Sequence, residues 1–189
     1  MPDAVAIQKR RLRTDLRAVL RGMTAASRAR QSALIQAWLA PRVATGVILA
    51  FAPLPEEVDL WPTLSTLAAS GRLLLPRVGG DHTLTLHRVH SLDLLCEGAM
   101  RLREPPAGTP EVSPDAVDLV LVPGLAFTPE GARLGRGGGM FDRFLAGLGA
   151  HVVTIGVGFS EQRLASLPCE PHDVPVRVVV PDFGMSPAG

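Results

Sequence analysis

The sequence predicts a single α/β domain in which a mostly parallel, twisted sheet carries helices on both faces and follows an N-terminal helical pair. Three observations lead there. Short, continuous apolar runs rich in Val and Leu and ended by Pro or Gly read as buried strands. Helical stretches separate several of those runs, and such alternation favours parallel pairing through crossovers. The first 40 residues instead repeat their apolar side chains at a helical period.

In chain order, residues 5 to 23 place Leu12, Leu16, Val19, Leu20 and Met23 on one helical face. Thr24 can cap a second helix whose inner face is Leu34, Ile35, Trp38 and Leu39, so the helical pair fills residues 1–40. The α/β core occupies 44–183. Its strands are read at 47–51, 72–76, 84–89, 118–123, 152–159 and 176–181, and its helices at 57–70, 140–148 and 160–166. Pro62 fits the first of these helices only in its first turn. The proline-rich stretch "REPPAGTPEVSPDA" (103–116) reads as a surface crossing.

Composition removes several function classes. No uncharged apolar run is long enough to span a bilayer, and the opening residues lack the apolar core of a signal peptide, so a cytoplasmic protein without membrane contact is expected. Cys96 and Cys169 have no metal-like spacing and read as reduced, partly buried thiols. A net charge of +1 argues against a nucleic-acid coat. The charge is nonetheless uneven: residues 1 to 43 hold nine basic side chains against Asp3 and Asp15, and Lys9, Arg13 and Arg17 follow one another at four-residue steps. Most of these arginines read as a solvated face. Lys9 stands out as the one lysine among 19 basic residues, a compact charge suited to a phosphate.

The densest signal is "RLGRGGGMFDRFL" (133–145). Its glycines can be read as a simple strand-to-helix turn. The pattern is neither G-x-G-x-x-G, since Met140 occupies the completing position, nor a Walker loop, which would need a lysine there. The position favours a ligand: the glycines follow a buried strand and open a helix, where backbone N–H groups point outward and side-chain-free residues let a polyphosphate approach. Arg133 and Arg136 add positive charge, and Asp142 can hold a hydrated magnesium ion beside it. The combination suggests a magnesium nucleotide.

"GLAFTPEGARLGRGGGMFDRFL" (124–145) resembles the signature of the 5-formyltetrahydrofolate cyclo-ligase family. The likeness continues, in the family's order, through "KRRLR" (9–13), "FAPLPEEVDL" (51–60), "LPRV" (75–78), "REP" (103–105) and "PHDVPVRVVV" (171–180). The resemblance implies ATP-dependent closure of 5-formyltetrahydrofolate to 5,10-methenyltetrahydrofolate, with release of ADP and phosphate, and with ATP and Mg2+ as cofactors. It implies a reduced folate as small-molecule partner and no obligate protein partner.

Residue by residue, the resemblance implies that Lys9, Arg10 and Arg13 hold ATP from the first helix, together with the loop Arg133, Leu134, Gly135, Arg136, Gly137, Gly138, Gly139, Met140 and Phe141. Arg136 would stabilise charge on the transferring phosphoryl group. Asp142 and Asp173 would hold magnesium. Ala52, Glu57 and Met140 would line the folate site, the Glu57 carboxylate accepting from the pterin's amino and ring N–H groups. Without the resemblance, Asp173 reads as a turn residue and Glu57 as a helix-start carboxylate. Met140-Phe141 replaces the family's usual Tyr-Tyr in a chain with no tyrosine. The alternative is therefore a paralogue that binds folate or nucleotide without turnover or acts on a shifted substrate.

Overall fold

In a computed structural model describing residues 4–80, 83–98 and 102–183, the chain opens with helices α1 (Ala4–Gly22) and α2 (Ala25–Leu39). Thr24 caps α2 as expected, its hydroxyl accepting the Ser27 N–H at 3.1 Å. Helix α3 (Trp61–Ala69) carries Pro62 in its first turn, and α4 (Met140–Ala146) follows the glycines.

The strands are β1 (Ile48–Leu49), β2 (Leu73–Val78), β3 (Leu84–Val89), β4 (Cys96–Glu97), β5 (Arg103–Glu104), β6 (Glu111–Val112), β7 (Leu119–Pro123), β8 (Ala126–Phe127), β9 (Arg133–Leu134), β10 (Val153–Val157) and β11 (Val178–Val179). Seven of them form one sheet in the order β11-β10-β7-β1-β2-β3-β6. Pairing is parallel from β11 to β2 and antiparallel at β3 and β6. Alternation along the central strands divides the core. Ile48, Leu73, Leu75, Leu119, Leu121 and Ile155 pack beneath α1, α2 and α3, whereas Leu49, Leu74, Val120 and Val122 face α4 through Phe141, Phe144 and Leu145. Helices thus cover both faces, three on one and one on the other.

Four expectations are corrected. The helix read at 160–166 is a single 3-10 turn, Ser160–Gln162. The Gln162 side chain holds it by accepting from Phe159 N–H at 2.8 Å and donating to the Gly124 carbonyl at 2.7 Å, and Leu164 N–H then turns to the Phe127 carbonyl. The helix read at 57–70 starts later, because the Glu57 carboxylate accepts Leu54 N–H at 2.9 Å and closes a turn first. The crossing at 103–116 contains β5 and the edge strand β6; buried His87 donates from Nδ1 to the Thr109 carbonyl at 2.8 Å and seats that segment against β3. Finally, both cysteines are exposed rather than partly buried, since Cys96 lies in the outlying β4–β5 hairpin and Cys169 in a loop.

Candidate active site

From β1 the chain moves one way to β2 and β3, and later the other way to β7 and β10. The β1–β7 boundary is therefore a topological switch point, with ligand space beyond the carboxyl ends of its strands. A cavity of about 340 Å³ occupies that place. Its wall takes Phe51 and Ala52 from the end of β1, Pro76 and Val78 from β2, Pro123 from β7, and Gly135, Arg136, Gly138, Gly139, Met140 and Phe141 from the glycine loop and α4. A second, more open space of about 540 Å³ shares Ala52, Leu54, Glu57, Leu102 and Arg103 with it and adds Trp61.

The stretch from β7 to α4 is a hairpin, β8 with β9, rather than an open loop. It returns the chain so that Gly135–Gly139 crosses the mouth of the cavity. Gly137 at φ +115° and Gly139 at φ +63° hold backbone that side chains rarely adopt. At Gly135 a Cβ would come within 2.8 Å of Arg133 Nη1. Since α4 has only seven residues, capacity for an anion rests on these loop N–H groups and nearby arginines more than on a helix dipole.

Helix α1 lies over the loop. Arg13 Nε donates to the Gly135 carbonyl at 2.9 Å and Arg17 Nη2 to the Arg136 carbonyl at 3.1 Å. One turn earlier, buried Lys9 donates to Glu170 Oε2 at 2.6 Å and Asp173 Oδ2 at 2.5 Å. Burial opposes the Lys9 charge, but hydrogen bonds to Asp173 and Glu170 more than offset it and hold the ammonium above its ordinary value. Burial likewise pushes the Asp173 carboxyl up; the Lys9 hydrogen bond and the Glu170 N–H outweigh it, and the group sits below its ordinary value.

Arg133 is buried and donates to Asp142 Oδ1 at 2.6 Å, and the Val174 N–H reaches the same oxygen at 3.4 Å. Asp142 thereby adjoins the segment of Asp173. Glu170, His172 and Asp173 each offer one ligand atom, all within 4.8 Å of one another, but the two carboxylates already share the Lys9 ammonium, which holds the place a cation between them would take. Arg136 is half-buried across from Glu57, whose Oε1 accepts from its Nε at 3.0 Å and its Nη2 at 2.7 Å; Glu56 accepts from the same Nη2 at 3.3 Å.

Of the residues named from sequence, Ala52, Glu57, Arg133, Gly135, Arg136, Gly138 to Phe141 and Asp142 line one cavity, Arg13 is bonded to its glycine loop, and Lys9 with Asp173 lies outside the lining, beside the segment that meets Asp142. Arg10 does not join them, being exposed on α1 and lining neither space. The Leu134 side chain is in the core and its carbonyl accepts Leu125 N–H at 2.7 Å. Arg17, Leu84, Arg103 and Glu104 line the cavity without a sequence-based assignment there. For Arg17 the four-residue cationic step was a usable signal; Leu84 and Glu104 reach the site through pairings that local sequence does not reveal.

Comparison with known proteins gives one result throughout. The profile of the 5-formyltetrahydrofolate cyclo-ligase family matches residues 5–182. The 5-formyltetrahydrofolate cyclo-ligase of Mycolicibacterium smegmatis is 34% identical over 94% of this chain and 95% of its own, and that of Mus musculus 29% identical over 91% and 92%. Among solved structures, the 5,10-methenyltetrahydrofolate synthetase of Aquifex aeolicus superposes with a TM-score of 0.80 at 34% identity, covering 91% of this chain and 88% of its own. The Mycoplasma pneumoniae synthetase reaches a TM-score of 0.70 at 22% identity, a likeness of fold.

Proposed function

Because the chain belongs to the 5-formyltetrahydrofolate cyclo-ligase family, we propose that it uses ATP to close 5-formyltetrahydrofolate to 5,10-methenyltetrahydrofolate, releasing ADP and phosphate, with the arginine-lined glycine loop as the phosphoryl site. The enzyme is a ligase of that family. The observation carrying the assignment of the site is that Arg13, Arg17, Arg133 and Arg136 all converge on Gly135–Gly139 at the cavity mouth.

In this reading the formyl oxygen attacks the γ-phosphorus and displaces ADP, N10 then closes on the activated carbon and gives up its proton, and phosphate leaves from that carbon. An amide oxygen is a weak nucleophile, so the protein's task is alignment and neutralisation of charge. Lys9, Arg13 and the loop N–H groups hold the phosphates. Arg136, kept in place by Glu57, faces the transferring group, and Ala52, Glu57 and Met140 lie on the substrate side. Asp142 and Asp173 would hold magnesium, which would supply neutralisation of phosphate charge. The reaction is placed in the cytoplasm, in keeping with two unpaired thiols at Cys96 and Cys169; no helix among the described residues is long and apolar enough to cross a membrane.

The test is the near-ultraviolet absorbance of the methenyl product after mixing protein, magnesium and 5-formyltetrahydrofolate with and without ATP. An ATP-dependent rise is expected, and its absence in folded protein would overturn the reading. A second reading, binding without turnover, is favoured by one observation: Met140 and Phe141 line the cavity where the family usually has hydroxyls.

A further inference from the structure

We propose that Arg17 contacts the γ-phosphoryl group of ATP and lets the site tell ATP from ADP. The inference rests on the cyclo-ligase reading only in placing ATP at the glycine loop. It adds a third cation of α1 to Lys9 and Arg13, the two that the family resemblance implied for the phosphates.

Among the described residues, four arginines line the cavity: Arg17, Arg103, Arg133 and Arg136. Two are held by carboxylates, Arg133 by Asp142 and Arg136 by Glu57 and Glu56. Arg103 is engaged elsewhere, its Nη2 donating to the Leu92 and Leu95 carbonyls at 3.3 Å and its guanidinium lying over the Trp61 ring. Arg17 is half-buried, and its one side-chain hydrogen bond runs from Nη2 to the Arg136 carbonyl at 3.1 Å. Among the described residues, its Nε and Nη1 meet no acceptor and no carboxylate pairs with it. It is the cation beside the glycine loop that keeps both charge and donors for a ligand.

The rest of the α1 stripe is placed differently. Lys9 is closed into its pair with Glu170 and Asp173, and Arg13 reaches the Gly135 carbonyl without lining the cavity. Burial first, and then the Arg17 charge, press the Arg13 guanidinium below its ordinary value, so the two cations repel one another and an anion beside Arg17 relieves them. The reaction brings one such anion here. The pterin and its formyl group carry no negative charge, and the carboxylates of the folate tail lie beyond a p-aminobenzoyl ring. The γ-phosphoryl group meets the loop next to Arg136, and guanidinium donors suit its terminal oxygens. ADP has no phosphoryl group at that place.

The experiment is calorimetric binding of the magnesium complexes of ADP and of the imido analogue of ATP, which transfers no phosphoryl group. Wild type, Arg17→Gln, Arg17→Lys and Arg21→Gln are compared, with folate kinetics and melting temperature alongside. Wild type should bind the analogue more tightly than ADP. Arg17→Gln should raise Kd for the analogue about ten- to hundredfold and Kd for ADP less than about twofold, at unchanged KM for the folate. Arg17→Lys, which keeps the charge without the fork, should recover part of the difference. Arg21→Gln removes a charge from the exposed next turn of α1 and should change neither constant. If Arg17 only held the loop through the Arg136 carbonyl, both nucleotides would weaken together. That result, an unaltered Arg17→Gln, or an equal loss in Arg21→Gln would overturn the proposal. A raised KM for the folate with both nucleotides unaffected would give Arg17 to a folate carboxylate and overturn it as well. Wild type that binds the analogue and ADP equally would do so without any variant having to fold. The expected binding pattern in a protein that forms no methenyl product would overturn the cyclo-ligase reading and leave the phosphoryl contact standing.

Discussion

Arg136 is gripped by Glu57 and Glu56, and a guanidinium held from behind can face a phosphoryl group without reorganising when charge develops. Arg136→Ala is therefore expected to lower kcat by about 100- to 1000-fold with a much smaller change in KM for the folate. Steady-state kinetics on both substrates checks this, and equal loss in the two parameters would contradict the role. Met140→Tyr combined with Phe141→Tyr should raise turnover if hydroxyls at the cavity wall assist; unchanged kcat would show that an apolar wall suffices. The residues legible in sequence were those in the compact block 133–142, because contiguous residues stay together in any fold. Lys9 and Arg13 were legible as a spaced stripe on a helix. Glu104 was not, since its relation to the cavity depends on the β4–β5 hairpin and the long return from β3.

At the scale of elements, the glycine loop depends on backbone that side chains rarely adopt. Gly137 has φ +115°, outside even the left-handed basin that some side chains tolerate, and its added Cβ would meet the Arg13 guanidinium only at ordinary contact distance, 3.6 Å. The cost of Gly137→Ala is thus backbone strain rather than a clash, about 1–3 kcal/mol. The expected outcome is a lower melting temperature together with weaker ATP binding by calorimetry; a stable variant with wild-type ATP affinity would show that the loop conformation is not needed. The buried strands were legible because parallel strands covered on both faces read as continuous apolar runs. Strand β6 was not: two residues, Glu111–Val112, show no period, and their place is set by His87 reaching Thr109. The 3-10 turn at 160–162 failed to extend for a similar reason, Gln162 and Leu164 being drawn to distant backbone.

Across the whole molecule, Lys9 ties the first helix to the closing segment through Glu170 and Asp173, residues 161 and 164 positions away. The linkage has a defined sign. Asp173 is held below its ordinary value of 3.8, so its contribution is present above that value and disappears as pH falls through the lower, folded one. Lys9 is held above 10.5, so its contribution is complete below that value and is lost only as pH rises beyond it. Between about pH 5 and pH 9 the pair should add a constant amount of stability. Lys9→Met keeps much of the buried stem but leaves two partly covered carboxylates without their cation, a loss of about 2 kcal/mol across that plateau. The acid limb should move as well. Without the ammonium, burial of Asp173 is opposed only by the Glu170 N–H and by His172, its carboxyl protonates at higher pH than in wild type, and the difference between variant and wild type shrinks as pH falls below the ordinary carboxylate range. Thermal unfolding of both proteins from pH 3 to pH 9 decides it: a difference that stays constant down to pH 3 would mean that the Lys9 pair contributes no charge-dependent stability, leaving α1 to its Leu16 and Leu20 packing and the Arg13 and Arg17 hydrogen bonds.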